Sequence, residues 1–313
     1  MTIPPYLQKG DIVGLVCPAG FMPLEKAQVA IDTLEQWGFK VRVGNTVGGE
    51  SKNYFSGTDT ERLKDLQQMM DDKKIKAIMC ARGGYGMGRI IDELNFKKLK
   101  KNPKWIIGFS DITVLHSHLF TKYKMASLHA PMAAAFNDDH PDSYQDKNEF
   151  VESLHKALTG EEGSYKCATH PFNKNGKVTG RLIGGNLSLL AHLIGTSSDI
   201  NTKNTILFIE DIGEYIYNID RMLFQLKRSG KLEKLAGLII GKFSDMKDTE
   251  RPLGQTTEEV IRDVIKEYDY PVCFNFPVSH EKENYALKIG LEYELTVADK
   301  NVTLKEYKIL SKQ

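Results

Sequence analysis

In the first half of the chain, short apolar runs alternate with segments whose apolar residues recur at helical spacing. The segment Leu24–Trp37 has a period near 3.6, and Thr58–Met70 opens with candidate N-cap residues, so both are predicted helices. Such alternation predicts βαβ units and a largely parallel sheet covered on both faces. Functional sites of these sheets lie where strands end, as in the turns after Ala81 and Phe109. The predicted strands are Asp11–Cys17, Phe39–Val43, Ile75–Ala81 and Trp105–Phe109.

The composition then changes to a polar, loop-like segment at Phe136–Lys147, followed by a predicted helix at Glu149–Leu158. We therefore predict a first domain over residues 1–140, a linker region over 141–176 and a second domain over 177–313. Two runs around Asp299 and Lys300 are typical of a β-hairpin. The predicted strands of this half are Ser164–Ala168, Thr205–Ile209, Leu235–Ile240, Val272–Phe276, Glu292–Val297 and Asn301–Tyr307, and its helices are Asn186–Ile194, Asp220–Arg228 and Thr257–Glu267.

Composition and charge narrow the class of protein. The chain has 313 residues, 41% of them hydrophobic, with 42 Lys and Arg against 41 Asp and Glu. A net charge of +1 gives no basic surface for nucleic acid or an anionic membrane, so we expect neither partner. The four cysteines are scattered without metal-like spacing, and those ending two apolar runs, Cys17 and Cys80, are expected to be buried thiols. No secretory signal or membrane span is apparent, which predicts a cytoplasmic protein.

The sharpest local feature is the segment WIIGFSDIT around Ser110, where an apolar strand meets a glycine, a serine and then an amphipathic helix. This is the layout of a nucleophile elbow, in which a strained turn exposes a serine hydroxyl above the sheet. The match to GxSxG is partial, because Ile112 occupies the position of the second glycine. The alternative is that Ser110 or Asp111 only caps the following helix.

The glycine-rich turn Ala81–Arg89 follows the preceding strand. Its amides are suited to an anion, but the rest of a dinucleotide-binding fingerprint is missing, so a phosphate cradle is weakly supported. The turn fits better as a source of oxyanion-hole amides beside a serine on a neighbouring strand. A tight turn without chemistry is an equal alternative.

A serine hydrolase also needs a base and an acid that orients it. Among the eight histidines, only His280 follows a strand in an otherwise polar loop. Glu210 and Asp211 end an apolar strand, and the residues alone do not choose between them. Ser110, Glu210 and His280 would then meet between the two domains. Of the others, His116 and His118 belong to a helix, His129 and His192 are expected in the core, and His140, His155 and His170 are expected at the surface.

Seven segments, in order, make the chain resemble the LD-carboxypeptidase family (peptidase family S66, muramoyltetrapeptide carboxypeptidase) over nearly its whole length. They are LQKGDIVGLVCPAG, FSGTDTERLKDLQQMM, ARGGYGMGRI, IIGFSDITVLH, TGRLIGGNLSLLAHLIGT, FIEDIGEYIYNIDRML and FPVSHEKENYALKIG. The resemblance implies an α/β fold with a flavodoxin-like N-terminal domain, whose sheet is mostly parallel, and a smaller β-rich α/β C-terminal domain. Family-typical residues are replaced at three positions, by Ala19, Ile216 and Ser279.

The resemblance also implies roles for individual residues. Ser110 would be the nucleophile, His280 the general base and Glu210 the acid that orients it. Backbone amides of Gly84 and Asp111 would form the oxyanion hole. Neither a metal nor another cofactor is expected. The candidates for binding the substrate are Arg82, Tyr85, Arg89 and Arg221.

The function implied is a serine carboxypeptidase that removes D-alanine from murein tetrapeptides during peptidoglycan recycling, as a homodimer. One alternative within the family is a microcin-C7-immunity-like hydrolase of peptidyl or aminoacyl adenylates, although no extra loop is visible over 170–260. A second alternative is a non-catalytic nucleotide- or phosphate-binding protein built on the glycine turn. A metallo-carboxypeptidase is disfavoured, because neither HxxE nor HExxH occurs.

Overall fold

The computed structural model describes residues 1–49, 51, 53–137 and 149–307. Within them, the chain divides into two compact units. The first comprises Met1–Glu161 together with the short return segment Tyr285–Lys288, and the second comprises Glu162–Asn284 and the chain from Ile289 onward. The domain boundaries predicted at residues 140 and 177 stay a prediction. Residues 138–148, which include His140 and most of the predicted polar loop, lie outside the described residues.

The strands and helices are numbered in chain order. The strands are β1 Ile12–Val16, β2 Lys40–Val43, β3 Ile75–Cys80, β4 Trp105–Gly108, β5 Ser127–His129, β6 Ser164–Cys167, β7 Gly176–Asn186, β8 Thr205–Ile212, β9 Gly237–Ser244, β10 Val272–Cys273, β11 Leu287–Ile289, β12 Glu292–Val297 and β13 Val302–Glu306. The helices are α1 Leu24–Gln36, α2 Asp59–Asp71, α3 Lys97–Lys101, α4 Thr113–His118, α5 Glu149–Thr159, α6 Leu187–His192, α7 Ile216–Arg228 and α8 Thr257–Ile265.

The first unit is built on a six-stranded sheet in the order β11-β5-β4-β3-β1-β2. Strands β2, β1, β3, β4 and β5 pair in parallel, which confirms the predicted parallel sheet. All four residues of β4 are buried, as expected of a central strand with both faces covered. Because β3 and β4 are neighbours, the turns at their carboxyl ends lie side by side. Those turns are the glycine-rich turn and the Ser110 turn.

Two helices of this unit form for the reasons that their sequences indicate. Helix α1 buries its apolar stripe, and α2 begins at a capping box. In that box the Thr58 hydroxyl accepts the Glu61 N–H, while the Glu61 carboxylate accepts the Thr58 N–H at 2.8 Å. The start of α2 is therefore fixed beside the loop that carries Tyr54 and Phe55.

The second unit holds a seven-stranded mixed sheet in the order β10-β9-β8-β7-β12-β13-β6. Strands β7, β8, β9 and β10 pair in parallel, and the predicted C-terminal hairpin is confirmed as the antiparallel pair β12–β13. The central strand β8 is buried over its first seven residues and has a register shift between Ile209 and Asp211. That irregularity lies at Glu210 and changes the local direction of the strand. The predicted α/β class is confirmed in both units.

Several predicted bounds are wrong. Helix α7 begins at Ile216, four residues before the predicted Asp220, and β10 ends at Cys273 instead of Phe276. Strands β5, β7 and β11 were not predicted. Strand β7 is the longest of the described strands, yet its glycines are typical of turns. Among the residues described, no helix combines the length and the apolar character that crossing a membrane requires.

Candidate active site

Ser110 occupies a strained turn directly after β4. Its φ is +61°, in the left-handed region that a residue with a Cβ adopts only at a cost of roughly 1–2 kcal/mol. Residues Ser110–Ile112 form a single 3-10 turn that leads into α4, and neither Ser110 nor Asp111 makes a side-chain capping bond there. The helix-cap alternative therefore does not explain this serine. Strain at a strand-to-helix turn is what a nucleophile elbow requires.

Gly83 of the neighbouring turn lies against Ser110. A Cβ placed on Gly83 would be 2.9 Å from Ser110 Cβ, 3.2 Å from its Oγ and 3.3 Å from the Asp111 nitrogen. The Gly83 carbonyl accepts the Gly20 N–H at 2.9 Å. Since a trans peptide points its N–H opposite to its C=O, the Gly84 N–H is directed away from Gly20. The glycine turn thus approaches Ser110 so closely that Gly83 has no room for a side chain.

The Asp111 carboxylate holds the far end of the same turn. It is buried and accepts the Met87 N–H at 2.7 Å. Burial raises the pKa of Asp111 to about 6, against the lowering effect of the backbone amides of the turn and of the Arg62 charge. The Met87 amide is therefore occupied by a carboxylate of the chain itself. The phosphate-cradle alternative loses this donor.

In the second unit, Glu210 and His280 form a buried pair. The Glu210 side chain is fully buried on β8, and the His280 Nδ1 lies 2.6 Å from its Oε2. Burial acts to lower the pKa of His280, but the hydrogen bond and charge of Glu210, with the charge of Asp211, raise it overall. With the proton on Nδ1, Nε2 is the basic nitrogen of the ring. This is the tautomer that a general base needs.

Asp211 has a different environment from its neighbour. Its carboxylate accepts the Asn186 side-chain amide at 2.9 Å and the Ser188 N–H at 2.9 Å, at the start of α6. Burial raises the pKa of Asp211 to about 6, partly offset by these bonds. The partner of His280 is therefore Glu210, and Asp211 fixes the end of the neighbouring strand.

Comparison with known proteins identifies the family of the chain. The profile of the LD-carboxypeptidase N-terminal domain matches residues 13–130, and that of the C-terminal domain matches residues 179–295. The chain belongs to the LD-carboxypeptidase family. It is 35% identical over 308 residues to the "Probable murein peptide carboxypeptidase" of Bacillus subtilis, covering 96% of this chain and 94% of that protein. As a member of this family, the protein is a peptidase.

Two solved structures extend the comparison. The muramoyltetrapeptide carboxypeptidase from Oxalobacter formigenes superposes with a TM-score of 0.84 at 28% identity, covering 95% of this chain and 99% of that one. The microcin C7 self-immunity protein in complex with aspartyl sulfamoyl adenosine gives 0.85 at 25% identity, covering 99% and 100%. This member of the LD-carboxypeptidase family therefore shares its fold with a carboxypeptidase and with a self-immunity protein.

The candidate substrate-binding residues of this family member differ in the hydrogen bonds and ion pairs that they make. Arg82 donates from Nη1 to the Phe21 carbonyl at 2.6 Å and directly precedes Gly83. Arg89 makes a two-pronged ion pair with Asp59, with Nη2 2.6 Å from Oδ2 and Nε 2.9 Å from Oδ1, which raises its pKa. The charge of Arg89 is therefore already paired with the Asp59 carboxylate, whereas the hydrogen bond of Arg82 is to a neutral carbonyl oxygen.

The two remaining predicted positions are exposed. Tyr85 is 55% exposed, with its ring centroid 5.7 Å from that of Phe55. Arg221 is on α7 of the second unit, where it lies 5.1 Å from the Tyr217 ring centroid and bonds Asn218 at 3.3 Å. The structure places Arg82, Tyr85 and Arg89 on one turn of the first unit and Arg221 on another element.

Two histidines of α4 are buried in packing. His116 bonds the Gly108 carbonyl through Nε2 at 2.8 Å, and burial lowers its pKa to about 4. His118 lies against Phe96, with ring centroids 5.0 Å apart. Over the described part of the chain, no cluster of three or more His, Cys, Asp or Glu side chains is arranged to hold a metal. These histidines therefore stabilise the segment that follows Ser110.

The expectations for the other histidines hold only in part. His129 is buried, as predicted. His192 is exposed and bonds the Ser188 carbonyl, so its predicted core position is wrong. His155 and His170 are half-buried and stack on aromatic rings, so their predicted surface positions are wrong. Their apolar partners are distant in the sequence, which is why local polarity misled the prediction.

Proposed function

We propose that this protein is an LD-carboxypeptidase that removes the terminal D-alanine of a murein tetrapeptide with a Ser110–Glu210–His280 triad. The observation that carries the proposal is the hydrogen bond between His280 Nδ1 and the fully buried Glu210 Oε2, which prepares a base on the loop after β10. The strained turn of Ser110 supplies the matching nucleophile. Relatives named as murein carboxypeptidases support the substrate class.

In the proposed reaction, His280 Nε2 removes the proton from Ser110 Oγ as the oxygen attacks the carbonyl carbon before D-alanine. The developing oxyanion accepts hydrogen bonds from the backbone N–H groups of Asp111 and Gly84. The imidazolium, stabilised by the Glu210 carboxylate, then donates its proton to the leaving amine. Water hydrolyses the acyl-enzyme by the same route, which returns the free serine and releases the tripeptide. The reaction needs no metal or other cofactor.

We assign Arg82 as the group that binds the free carboxylate of the terminal D-alanine. A carboxypeptidase must recognise this carboxylate, and a guanidinium beside the oxyanion hole suits it. Arg82 immediately precedes Gly83, which contacts Ser110, and its bond to Phe21 is to a neutral carbonyl. Arg89 is a poorer candidate because Asp59 already covers it on two sides.

A second candidate function is the hydrolysis of an aminoacyl adenylate. One observation favours it. Tyr215 and Tyr217 are 41% and 39% exposed and stack with ring centroids 5.5 Å apart, beside Arg221. An exposed aromatic pair with a guanidinium offers a platform for a purine base. The microcin C7 self-immunity relative, solved with aspartyl sulfamoyl adenosine, supplies the comparison.

Mass spectrometry of L-Ala-D-Glu-meso-Dap-D-Ala incubated with the protein tests the proposal. We expect the wild type to release one D-alanine, the Ser110→Ala variant to release none, and a chelator to change neither result. Parallel reactions contain the lysine peptide and aspartyl sulfamoyl adenosine. Cleavage of the adenosine compound alone would favour the second candidate, and cleavage by Ser110→Ala would refute the triad.

The proposal extends to a homodimer in the cytoplasm, where peptidoglycan fragments are recycled. Light scattering after size-exclusion chromatography checks the first expectation, since a dimer has about twice the mass of the 35.3 kDa chain. Fractionation of cells followed by immunoblotting checks the second. A monomer, or protein recovered only outside the cytoplasm, would contradict it.

A further inference from the structure

Arg62 is a fully buried arginine at the back of the glycine turn. Its side chain is 0% exposed, yet it carries a charge on α2 of the first unit. From Nη1 it donates to the Pro18 carbonyl at 2.6 Å and to the Gly86 carbonyl at 3.0 Å, and from Nη2 it pairs with Asp59. Burying a guanidinium is costly, and here both terminal nitrogens are bonded while the buried Nε has no hydrogen-bond partner among the described residues.

The two carbonyls belong to the turns that follow β1 and β3. Pro18 lies two residues after the end of β1, and Gly86 closes the turn that begins at Gly83. Nη1 reaches both oxygens at once because it carries two N–H groups that diverge in the plane of the guanidinium. Arg62 therefore ties together two neighbouring loops at the strand ends.

Gly86 is held by Arg62, and the residue after it is held by Asp111. The Gly86 carbonyl accepts a hydrogen bond from Arg62 Nη1, and the Met87 N–H donates to the Asp111 carboxylate at 2.7 Å. A Cβ on Gly86 would lie 2.8 Å from Arg62 Nη1, at a backbone φ of +142°. Only Gly84 and Tyr85 separate Gly86 from Gly83, which lies against Ser110. The bond from Arg62 to Gly86 consequently fixes the position of the Gly84 amide, which is proposed for the oxyanion hole.

We propose that Arg62 is a positioning residue for catalysis, which holds the Gly83–Gly86 turn against Ser110 through the Gly86 carbonyl. This inference rests on the proposed serine-peptidase mechanism. Arg62 does not touch the reacting atoms, and its action passes through the backbone. A lysine in its place carries the same charge, but its single nitrogen cannot occupy the positions of both Nη1, which bonds Pro18 and Gly86, and Nη2, which pairs with Asp59.

The test compares Arg62→Lys with a matched control, Arg42→Lys. Arg42 also forms an arginine–aspartate ion pair in the first unit, with Asp72, but it lies on β2 and bonds neither turn. Two readouts are used, kcat and KM for the tetrapeptide and the rate at which a fluorophosphonate labels Ser110. We expect Arg62→Lys to lower kcat and the labelling rate by about 10- to 100-fold, with KM within about threefold, because small misplacements of catalytic groups have effects of that size.

The control is expected to keep both rates. A merely structural role predicts instead that Arg62→Lys lowers the melting temperature while kcat per folded molecule is unchanged, and that result would overturn the inference. If Arg62→Lys does not fold, Gly86→Ala provides the second variant, because its methyl group displaces the guanidinium from the carbonyl while Arg62 remains. Wild-type kcat and labelling in Gly86→Ala would equally overturn it.

The two readouts separate this inference from the substrate assignment. If the wild type is labelled at Ser110 but does not cleave the tetrapeptide, the proposed substrate is wrong. The labelling rates of Arg62→Lys and Arg42→Lys then decide the role of Arg62 without any substrate. Equal labelling of both variants would refute it.

Discussion

Replacing Gly83 with alanine tests the central contact of the site. Gly83 does not have a positive φ, so alanine fits its backbone and the change acts through the added methyl group alone. That methyl would meet Ser110 Cβ at 2.9 Å, Ser110 Oγ at 3.2 Å and the Asp111 nitrogen at 3.3 Å. All three atoms belong to the residues proposed as nucleophile and oxyanion-hole donor.

The magnitude follows from these distances. Carbon atoms pack at about 3.5–4.0 Å, so a methyl group 2.9 Å from Ser110 Cβ must displace one of the two turns by at least about 0.6 Å. The methyl also occupies space in front of the Asp111 N–H. Misplacement by about 1 Å or loss of one oxyanion-hole donor costs about 10²- to 10³-fold. We therefore expect kcat/KM for the tetrapeptide to fall by about 10²-fold or more.

The matched control is Gly88→Ala, five residues along the same segment. A Cβ on Gly88 meets no atom within 4 Å, and its φ is not positive either. Steady-state release of D-alanine and fluorophosphonate labelling of Ser110 are measured for both variants, with melting temperatures to verify folding. Gly88→Ala is expected to behave as wild type. If folded Gly83→Ala kept more than about a third of the wild-type rate, the proposed location of the oxyanion hole beside Gly83 would be refuted.

Three further predictions concern the second unit and the thiols. Glu210→Gln should lower kcat by roughly 10³- to 10⁴-fold, the size of effect known when a triad acid becomes an amide. It should also move the acidic limb of the pH profile of kcat/KM to lower pH, because Glu210 helps to raise the pKa of His280. An acidic limb that does not move would contradict this prediction. Asp211 has a folded pKa of about 6 against an ordinary 3.8, so its contribution to stability is complete below pH 3.8 and is lost as the pH rises through 6. Urea unfolding between pH 4 and 7 should show the free energy of unfolding of the wild type falling by up to about 3 kcal/mol relative to that of Asp211→Asn. A relative rise over this range would contradict the prediction. Iodoacetamide at pH 8 should alkylate Cys167 first, because a hydrogen bond from Cys273 lowers the pKa of Cys167 while burial raises the pKa of Cys17 to about 12. Peptide mapping that found Cys17 modified first in the folded protein would disprove this order.

Elements with an uninterrupted local pattern could be predicted from the sequence. Helix α1 has its apolar stripe, and α2 has its capping box, so both were found close to their observed bounds. Strand β7 was missed because its four glycines are typical of turns. Gly184 is required there by packing, since a Cβ would lie 1.9 Å from the Phe208 carbonyl oxygen on the adjacent strand. That requirement comes from a residue 24 positions away and has no local signal.

The site shows a similar division. The strand–glycine–serine pattern made Ser110 a candidate, and the position after a strand did the same for His280, while the resemblance to the family implied their roles. Gly83 was not separated from Gly84, because adjacent glycines look alike until one of them faces a serine on the next strand. Arg62 was also missed. It stands among ordinary helix formers in α2, and only the carbonyls of Pro18 and Gly86 distinguish it from a surface arginine.

Two pairs of adjacent polar residues show why neighbouring strands matter for assigning roles from a sequence. Ser110 is followed by Asp111, and Glu210 is followed by Asp211, and both aspartates are buried with a pKa raised to about 6. Each aspartate accepts an amide from the turn that ends the adjacent strand, Met87 after β3 and Ser188 after β7. In each pair the aspartate binds the scaffold, whereas its neighbour, Ser110 or Glu210, is the residue that we propose for the chemistry. Each pair can be recognised in the sequence, but only its contacts with the end of the neighbouring strand show which residue of the pair is bonded to the scaffold.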